Sequence, residues 1–278
     1  MIIIVNMKDR YLYGKKALVT GATSGIGEKI AIALASAGYT VYGVSRHAPE
    51  KEERIGAGTL ILRKMDITDE ESIRNVLDEI GSFALLVQAA GFGIAGPAED
   101  SDISLVRAQF ETNYFGSLTL TRLASPVLRS NKRSMIIAVS SVAGRVPLPY
   151  QSHYSCTKYA LEAFYETLRI EGKPFGLTVA IIEPGDLHTG FTARRKSAIP
   201  SGSPYSEYYN KALKQIEHDE LSGKGPEVIS DAVMKIVRRR NPPVRTVVGI
   251  NYKALTFLLR FLPDRLVLFI LGRMYHAE

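Results

Sequence analysis

The chain has 278 residues, of which 46% are hydrophobic and 23% charged, and it carries a net charge of +7. That is the composition of a globular protein long enough to bury a large core. With Cys156 as the only cysteine, it excludes an intramolecular disulfide and a cysteine-rich metal site. No Pro/Ser/Gly-rich linker, low-complexity tract or repeat interrupts it. One domain over 1–278 is therefore expected, with a core at about 14–250 and a helical extension at about 251–278. Met1-Ile2-Ile3-Ile4-Val5 is too short for a signal-peptide core and has no basic region before it. The apolar tail at 254–275 is interrupted by Arg260, Asp264, Arg265 and Arg273, which argues against a spanning helix. A soluble, cytoplasmic protein is expected. The basic runs Arg194-Arg195-Lys196 and Arg238-Arg239-Arg240 lack aromatic interleaving, so they read as solvated surface or attraction for an anionic cofactor, and no nucleic acid is expected.

In chain order, the apolar run 17–20 ends in glycine and predicts a buried strand. Helical spacing from 26 to 37, closed by Gly38, predicts a helix. Strands are expected at 40–45 and 60–62. Thr68-Asp69-Glu70-Glu71 reads as a capping box opening a helix to about Ile80. A strand at 84–88, a long helix at about 105–130, a strand at 135–140, a helix at 150–172 and a strand at 177–182 follow. Helices are expected within 203–222 and at 226–240, with a last strand at 245–249. Pro263 should break 255–270 into two short helices. This alternation predicts an α/β fold, a doubly wound parallel sheet of about seven strands covered by helices on both faces. The apolar tail reads as a cover for the core, a pocket lid or a subunit contact, with membrane contact the disfavoured reading.

Two local patterns carry chemistry. Between the first strand and helix runs Thr20-Gly21-Ala22-Thr23-Ser24-Gly25-Ile26-Gly27. Its glycines permit a tight turn and close approach to a pyrophosphate, and the helix N-terminus offers free N–H groups. The second pattern is Tyr154 and Lys158, four apart and so on one helix face. A phenol titrates near 10 and is a poor acid or base at neutrality, and a neighbouring cation should lower that value.

With Ser141 thirteen residues before Tyr154, these patterns resemble the short-chain dehydrogenase/reductase family over about 16–191, nearest to its hydroxysteroid and retinol branch. Val139-Ser140-Ser141-Val142-Ala143-Gly144 resembles the family's serine segment, Thr112-Asn113-Tyr114 its helix asparagine, Asp66-Ile67 its adenine-contacting pair, and Glu183-Pro184-Gly185-Asp186-Leu187-His188-Thr189 its nicotinamide loop. The resemblance implies a Rossmann-type fold, hydride transfer between nicotinamide and a carbonyl or alcohol, and a homodimer or homotetramer. It implies Tyr154 as proton donor and Ser141 as a hydrogen-bonding partner of the carbonyl oxygen. Lys158 would lower the Tyr154 pKa and hold the ribose, and Asn113 would keep a water in a proton relay. Cofactor contacts are implied for Gly21, Thr23, Ser24, Gly25, Ile26, Gly27, Asp66, Ile67, Tyr154, Lys158, Pro184, Gly185, Leu187 and Thr189. One departure stands out: Gln88-Ala89-Ala90-Gly91 replaces the family's Asn-Asn-Ala-Gly, so Ala89 and Ala90 offer only backbone beside Gly91.

The second strand ends in Ser45-Arg46 without a carboxylate. A carboxylate there would bind a ribose 2′-hydroxyl and repel a 2′-phosphate, whereas Arg46 and Ser45 suit the phosphate, so NADP(H) is expected over NAD(H). Cys156 reads as a small buried helix residue, His153 as surface or interface, Glu183 as a structural group at a strand end, and no metal is expected. Leu148, Tyr150, Phe191, Tyr205, Tyr208 and Tyr209 should make a partly apolar substrate wall. A hydrophobic ketone, aldehyde or steroid-like alcohol follows by analogy, with a cofactor-binding redox sensor as the competing class.

Overall fold

The computed structural model describes residues 11–259 and 261–275; the expectations placed on Met1 to Val5 and on Arg260 lie outside the described residues. Among the described residues, strands β1 (Lys16–Thr20), β2 (Thr40–Ser45), β3 (Lys51–Ile55), β4 (Gly58–Lys64), β5 (Leu85–Gln88), β6 (Ile94–Ala95), β7 (Ser134–Val139), β8 (Leu177–Pro184), β9 (Lys196–Ser197) and β10 (Arg245–Val248) are interspersed with ten α-helices. These are α1 (Gly25–Ser36), α2 (Glu70–Ile80), α3 (Ile103–Phe110), α4 (Gly116–Arg129), α5 (Ser152–Glu171), α6 (Phe191–Arg194), α7 (Ser206–Leu221), α8 (Glu227–Ile236), α9 (Ile250–Leu258) and α10 (Asp264–Met274).

Eight strands form one sheet in the order β10-β8-β7-β5-β1-β2-β4-β3, parallel except for the β3–β4 hairpin. The order reverses at β1, which lies between β2 and β5. Crossovers therefore leave in opposite directions there and open a crevice at the carboxyl ends of the strands, where ligands bind in doubly wound folds. The central strands β5 and β7 are buried along their whole length, as expected when helices cover both faces. One apolar cluster joins α1 and α8 to β1, β5 and β7; a second joins α2, α4 and α5 to the other face.

Several expectations shift. The sheet gains the edge strand β3, whose KEERI sequence is almost wholly exposed and lacks the apolar signal that marks a buried strand. Asp69, not Thr68, caps α2: its carboxylate accepts from Glu71 N–H, while Thr68 turns back to Asp66. The long helix of 105–130 is divided by a π-helical turn, Glu111–Phe115, that carries Asn113. Such single wide turns inside α-helices recur at functional sites. Cys156 is exposed, because it falls on the outer face of α5. The tail does form two helices around Pro263, but it covers little: in α9 only Thr256 is buried and in α10 only Leu271.

Candidate active site

Ser141, Tyr154 and Lys158 meet in a cavity of about 130 Å³ at the carboxyl ends of the central strands, with Gly185, Leu187 and Thr189 on the facing wall. Each is placed by a different local rule. Ser141 follows β7 in extended conformation and caps the 3₁₀ turn 142–144, its Oγ accepting from Ala143 N–H at 3.1 Å. Tyr154 and Lys158 stand one turn apart on α5. The lysine is buried, donates to the Val139 carbonyl at 3.0 Å and lies 5.6 Å from the centre of the tyrosine ring.

The electrostatics reverse one expectation. Burial drives the Tyr154 hydroxyl up to about 12, against a smaller lowering from its hydrogen bond with Ser141. Lys158 is pushed down to about 8 by its own burial, partly offset by the Glu162 carboxylate. The lysine points at a backbone carbonyl rather than at the phenol oxygen, so desolvation outweighs its attraction for a phenolate.

Behind the cavity, Asn113 bridges two segments: its Oδ1 accepts from Phe92 N–H at 3.0 Å, and its Nδ2 donates to Phe92 O at 3.0 Å and Thr157 Oγ1 at 3.3 Å. The Gln88-Ala89 departure is accommodated without an asparagine. Thr20 Oγ1 accepts from both Ala89 N–H and Ala90 N–H at 3.0 Å, and Gln88 anchors to Thr121 Oγ1 at 2.7 Å.

The glycine-rich turn fits a dinucleotide pyrophosphate. A Cβ on Gly27 would sit 2.3 Å from the Gly21 carbonyl oxygen, so only glycine lets α1 close on the end of β1. Ser24 is the N-cap of α1 but its side chain caps no N–H, leaving the first-turn donors facing outward. Arg194, from α6, reaches across to Ser24 Oγ at 2.9 Å and stands over that helix end. Arg194 was visible in the sequence only as part of a basic run. Further along the crevice, Thr23 Oγ1 and Ser45 Oγ are 2.9 Å apart, and Arg46 is exposed with no ion pair among the described residues. Ile67 is buried; Asp66 Oδ1 accepts from Thr68 N–H at 2.9 Å. Of the remaining expected cofactor contacts, Ile26, Ala89, Gly91 and Pro184 line the cavity itself.

The loop after β8 is locked from outside. A Cβ on Gly185 would fall 2.0 Å from the Tyr252 ring of α9, and the Tyr252 hydroxyl donates to the Asp186 carboxylate. His188 is held through its N–H to Lys224 O at 2.9 Å.

The substrate wall differs from the expected one. Leu148 and Phe191 line the cavity, the Phe191 ring lying 5.6 Å from that of Tyr154. Tyr150 and Tyr209 pack ring to ring at 5.9 Å, and Tyr150 holds φ +59, a left-handed conformation costly for a tyrosine. Tyr205 instead bonds Glu99 at 2.8 Å, and Tyr208 is exposed. Their places are taken by Ile216, Asp219 and Glu220 of α7 and by Tyr275. The polar and aromatic character of 203–222 marked a helix but not which end would reach the cavity. Glu220 pairs with the buried Arg195 and accepts from Thr192 Oγ1 at 2.6 Å.

Under the floor, Glu183 is fully buried. It lies 3.2 Å from Arg245 and 3.4 Å from Arg145, while Arg245 also holds Glu162 at 2.9 Å. Desolvation first, then the Glu162 charge, raise Glu183 to about 7. His153 Nε2 is buried without a partner, and burial lowers its pKa.

A family model described as short chain dehydrogenase matches residues 15–199. A 3-ketodihydrosphingosine reductase from Bacteroides thetaiotaomicron is 36% identical, over 94% of this chain and 97% of its own length. Human retinol dehydrogenase 8 is 28% identical, over 88% of this chain and 84% of its own. Among solved structures, a short chain dehydrogenase from Burkholderia cenocepacia, in complex with NADP, superposes with a TM-score of 0.72 at 27% identity, covering 92% of this chain and 96% of that one. With the doubly wound sheet and the Ser141, Tyr154 and Lys158 arrangement already in place, the matched span fixes the assignment: this chain belongs to the short-chain dehydrogenase family of oxidoreductases.

Proposed function

We propose that the protein is an NADPH-dependent reductase of a hydrophobic ketone. The observation that carries this reading is the convergence of Ser141, Tyr154 and Lys158 on one cavity beside the glycine-rich turn. A bound nicotinamide supplies the hydride that reduces the carbonyl carbon. The Tyr154 hydroxyl donates the proton that the carbonyl oxygen needs as negative charge builds on it, and Ser141 Oγ–H holds that oxygen in place. Lys158, turned from Val139 O, binds the ribose hydroxyls. Asn113 supports a water that returns a proton to Tyr154 through Lys158.

The first-turn N–H groups of α1 and the Arg194 guanidinium hold the pyrophosphate. Arg46 and Ser45 receive the 2′-phosphate; the preference for NADPH rests on these two residues and on the missing carboxylate, not on what a neighbour binds. Gly185, Leu187 and Thr189 orient the carboxamide. Leu148, Phe191 and Ile216 give the substrate end its apolar surface, and the names of the Bacteroides and human relatives agree with a lipid-like carbonyl or alcohol.

The test is NADPH oxidation followed with a panel of long-chain and cyclic apolar ketones, with Tyr154→Phe as control. Turnover lost in the control supports the reading. NADPH binding without turnover across the panel would count against it, and unchanged NADPH affinity in Arg46→Ala would defeat the cofactor assignment.

A further inference from the structure

Helices α9 and α10 present apolar side chains to solvent. Phe257 is 59% exposed, Phe261 71%, Leu268 58% and Phe269 56%, with Ile250 and Ile270 also outward. Phe257 and Phe261 meet edge to face at 5.4 Å, so the patch has order across the turn between the helices. An isolated exposed leucine needs no explanation, but an apolar surface running along two successive helices marks an interaction site. A helix apolar on most of its faces is normally enclosed by something.

The charge on this segment selects the occupant. From Ile250 to Tyr275 the sequence carries Lys253, Arg260, Arg265 and Arg273 against Asp264 alone. A second copy docked face to face would bring two cationic surfaces together, and like charge opposes that pairing. An anionic lipid surface complements both properties: it attracts Lys and Arg and accepts Phe and Leu below the headgroups. The arrangement at Phe269, where the Arg273 guanidinium lies 5.7 Å from the ring, puts cation and apolar group side by side. Among the described residues no helix is long and apolar enough to cross a membrane, so the contact lies in the interface plane.

The patch also connects to the active site. Tyr252, on α9, packs on Gly185 and bonds Asp186, while Tyr275, one residue past α10, lines the cavity. We propose that α9 and α10 form a docking surface for an anionic phospholipid bilayer, bringing the cavity to the membrane in which an apolar substrate dissolves. Substrate delivery rests on the reductase reading; docking does not, and the test reads docking alone.

The full chain is sedimented with vesicles of phosphatidylcholine alone and of phosphatidylcholine with phosphatidylglycerol. The wild type should partition to the anionic vesicles and be released by salt. Leu268→Asp with Phe269→Asp should lower the partition coefficient by about tenfold or more, and Arg265→Gln by about fivefold. Both variants should keep the wild-type oligomeric state by light scattering and the wild-type NADPH affinity. Arg265→Gln alters one exposed side chain, so it carries the test if the double variant does not fold. Absence of wild-type binding to anionic vesicles would overturn the proposal. So would unchanged vesicle binding in a double variant that falls to a smaller oligomer, which would make the patch a subunit interface. Vesicle binding without ketone reduction would remove the reductase reading and leave the docking surface standing.

Discussion

Lys158→Met should stabilise the ligand-free fold while abolishing activity, and the size of the effect can be worked from the burial of this one group. The lysine falls from an ordinary 10.5 to about 8 because the folded protein withdraws its ammonium from water. At pH 7 it is still charged in both folded and unfolded states, so the fold carries the whole penalty, about 3 kcal/mol. Methionine fills a similar volume without a charge but leaves Val139 O without its partner, a loss of about 1 kcal/mol. The net expectation is a gain of about 2 kcal/mol at pH 7. The sign of the pH dependence follows from proton counts. Below pH 8 the difference between variant and wild type is constant. Between 8 and 10.5 the unfolded Lys158 holds a proton that the folded one has lost, so its penalty on the wild type shrinks with pH and the variant's advantage fades. The chain has no tryptophan, so urea unfolding is best followed by circular dichroism at pH 7 to 10. A variant less stable than wild type at pH 7, or a difference that stays level from pH 8 to 10, would refute the reasoning. This would be a direct measure of stability given up at a working site.

Two further outcomes follow from the same geometry. Arg194→Ala should weaken NADPH and NADH alike by about tenfold, because the guanidinium stands over the α1 N-terminus and not near the 2′-position; binding of adenosine 2′-monophosphate, which lacks the pyrophosphate, should be unchanged by calorimetry. Burial raises Glu183 to about 7 in the fold against 4.5 unfolded, so the folded state holds its proton longer and this group's own contribution to stability should fall by about 3 kcal/mol as pH rises from 4.5 to 7; the stability difference between Glu183→Gln and wild type should grow in the variant's favour over that range in urea titrations, and a level difference would place the proton elsewhere in the Glu162–Glu183–Arg245 cluster.

Much of the architecture was legible because strand and helix spacings mark β1, β2, β4, β5, β7 and β8 with the helices around them, and because the glycine-rich turn after β1 announces a close approach. What stayed hidden depends on tertiary approach. The KEERI strand pairs through backbone alone, so no side-chain pattern announces it. The wide turn at Asn113 looks like ordinary helix in sequence. Glu220 comes to the cavity, and Arg194 to the N-terminus of α1, from segments whose local pattern says only "polar and aromatic" or "basic", and their meetings with Arg195 and Ser24 span 25 and 170 residues of chain. The role of Gln88-Ala89 was also illegible, since the hydroxyl that supports this turn comes from Thr20 on the neighbouring strand.

The pH dependence of each direction of the reaction belongs to the same hidden class, because it turns on the protonation state of Tyr154. Spacing to Lys158 suggested a depressed phenol, but the structure places its hydroxyl at about 12. At neutral pH the tyrosine therefore holds its proton, which is the state that reduction consumes. Oxidation requires the phenolate or its equivalent, and forming that at pH 7 costs about 7 kcal/mol from this starting point. The two directions should thus separate by pH. With a ketone that is turned over, kcat/KM for reduction should be level between pH 6 and 8. With the matching alcohol, kcat/KM for oxidation should climb by about tenfold per pH unit over the same range. Bound nicotinamide can shift the crossover but not the order of the two profiles, provided the phenol remains above neutrality. Oxidation that is already level at pH 7 would mean that Tyr154 loses its proton far more readily than its burial allows, and the lysine would then have the role that spacing alone suggested.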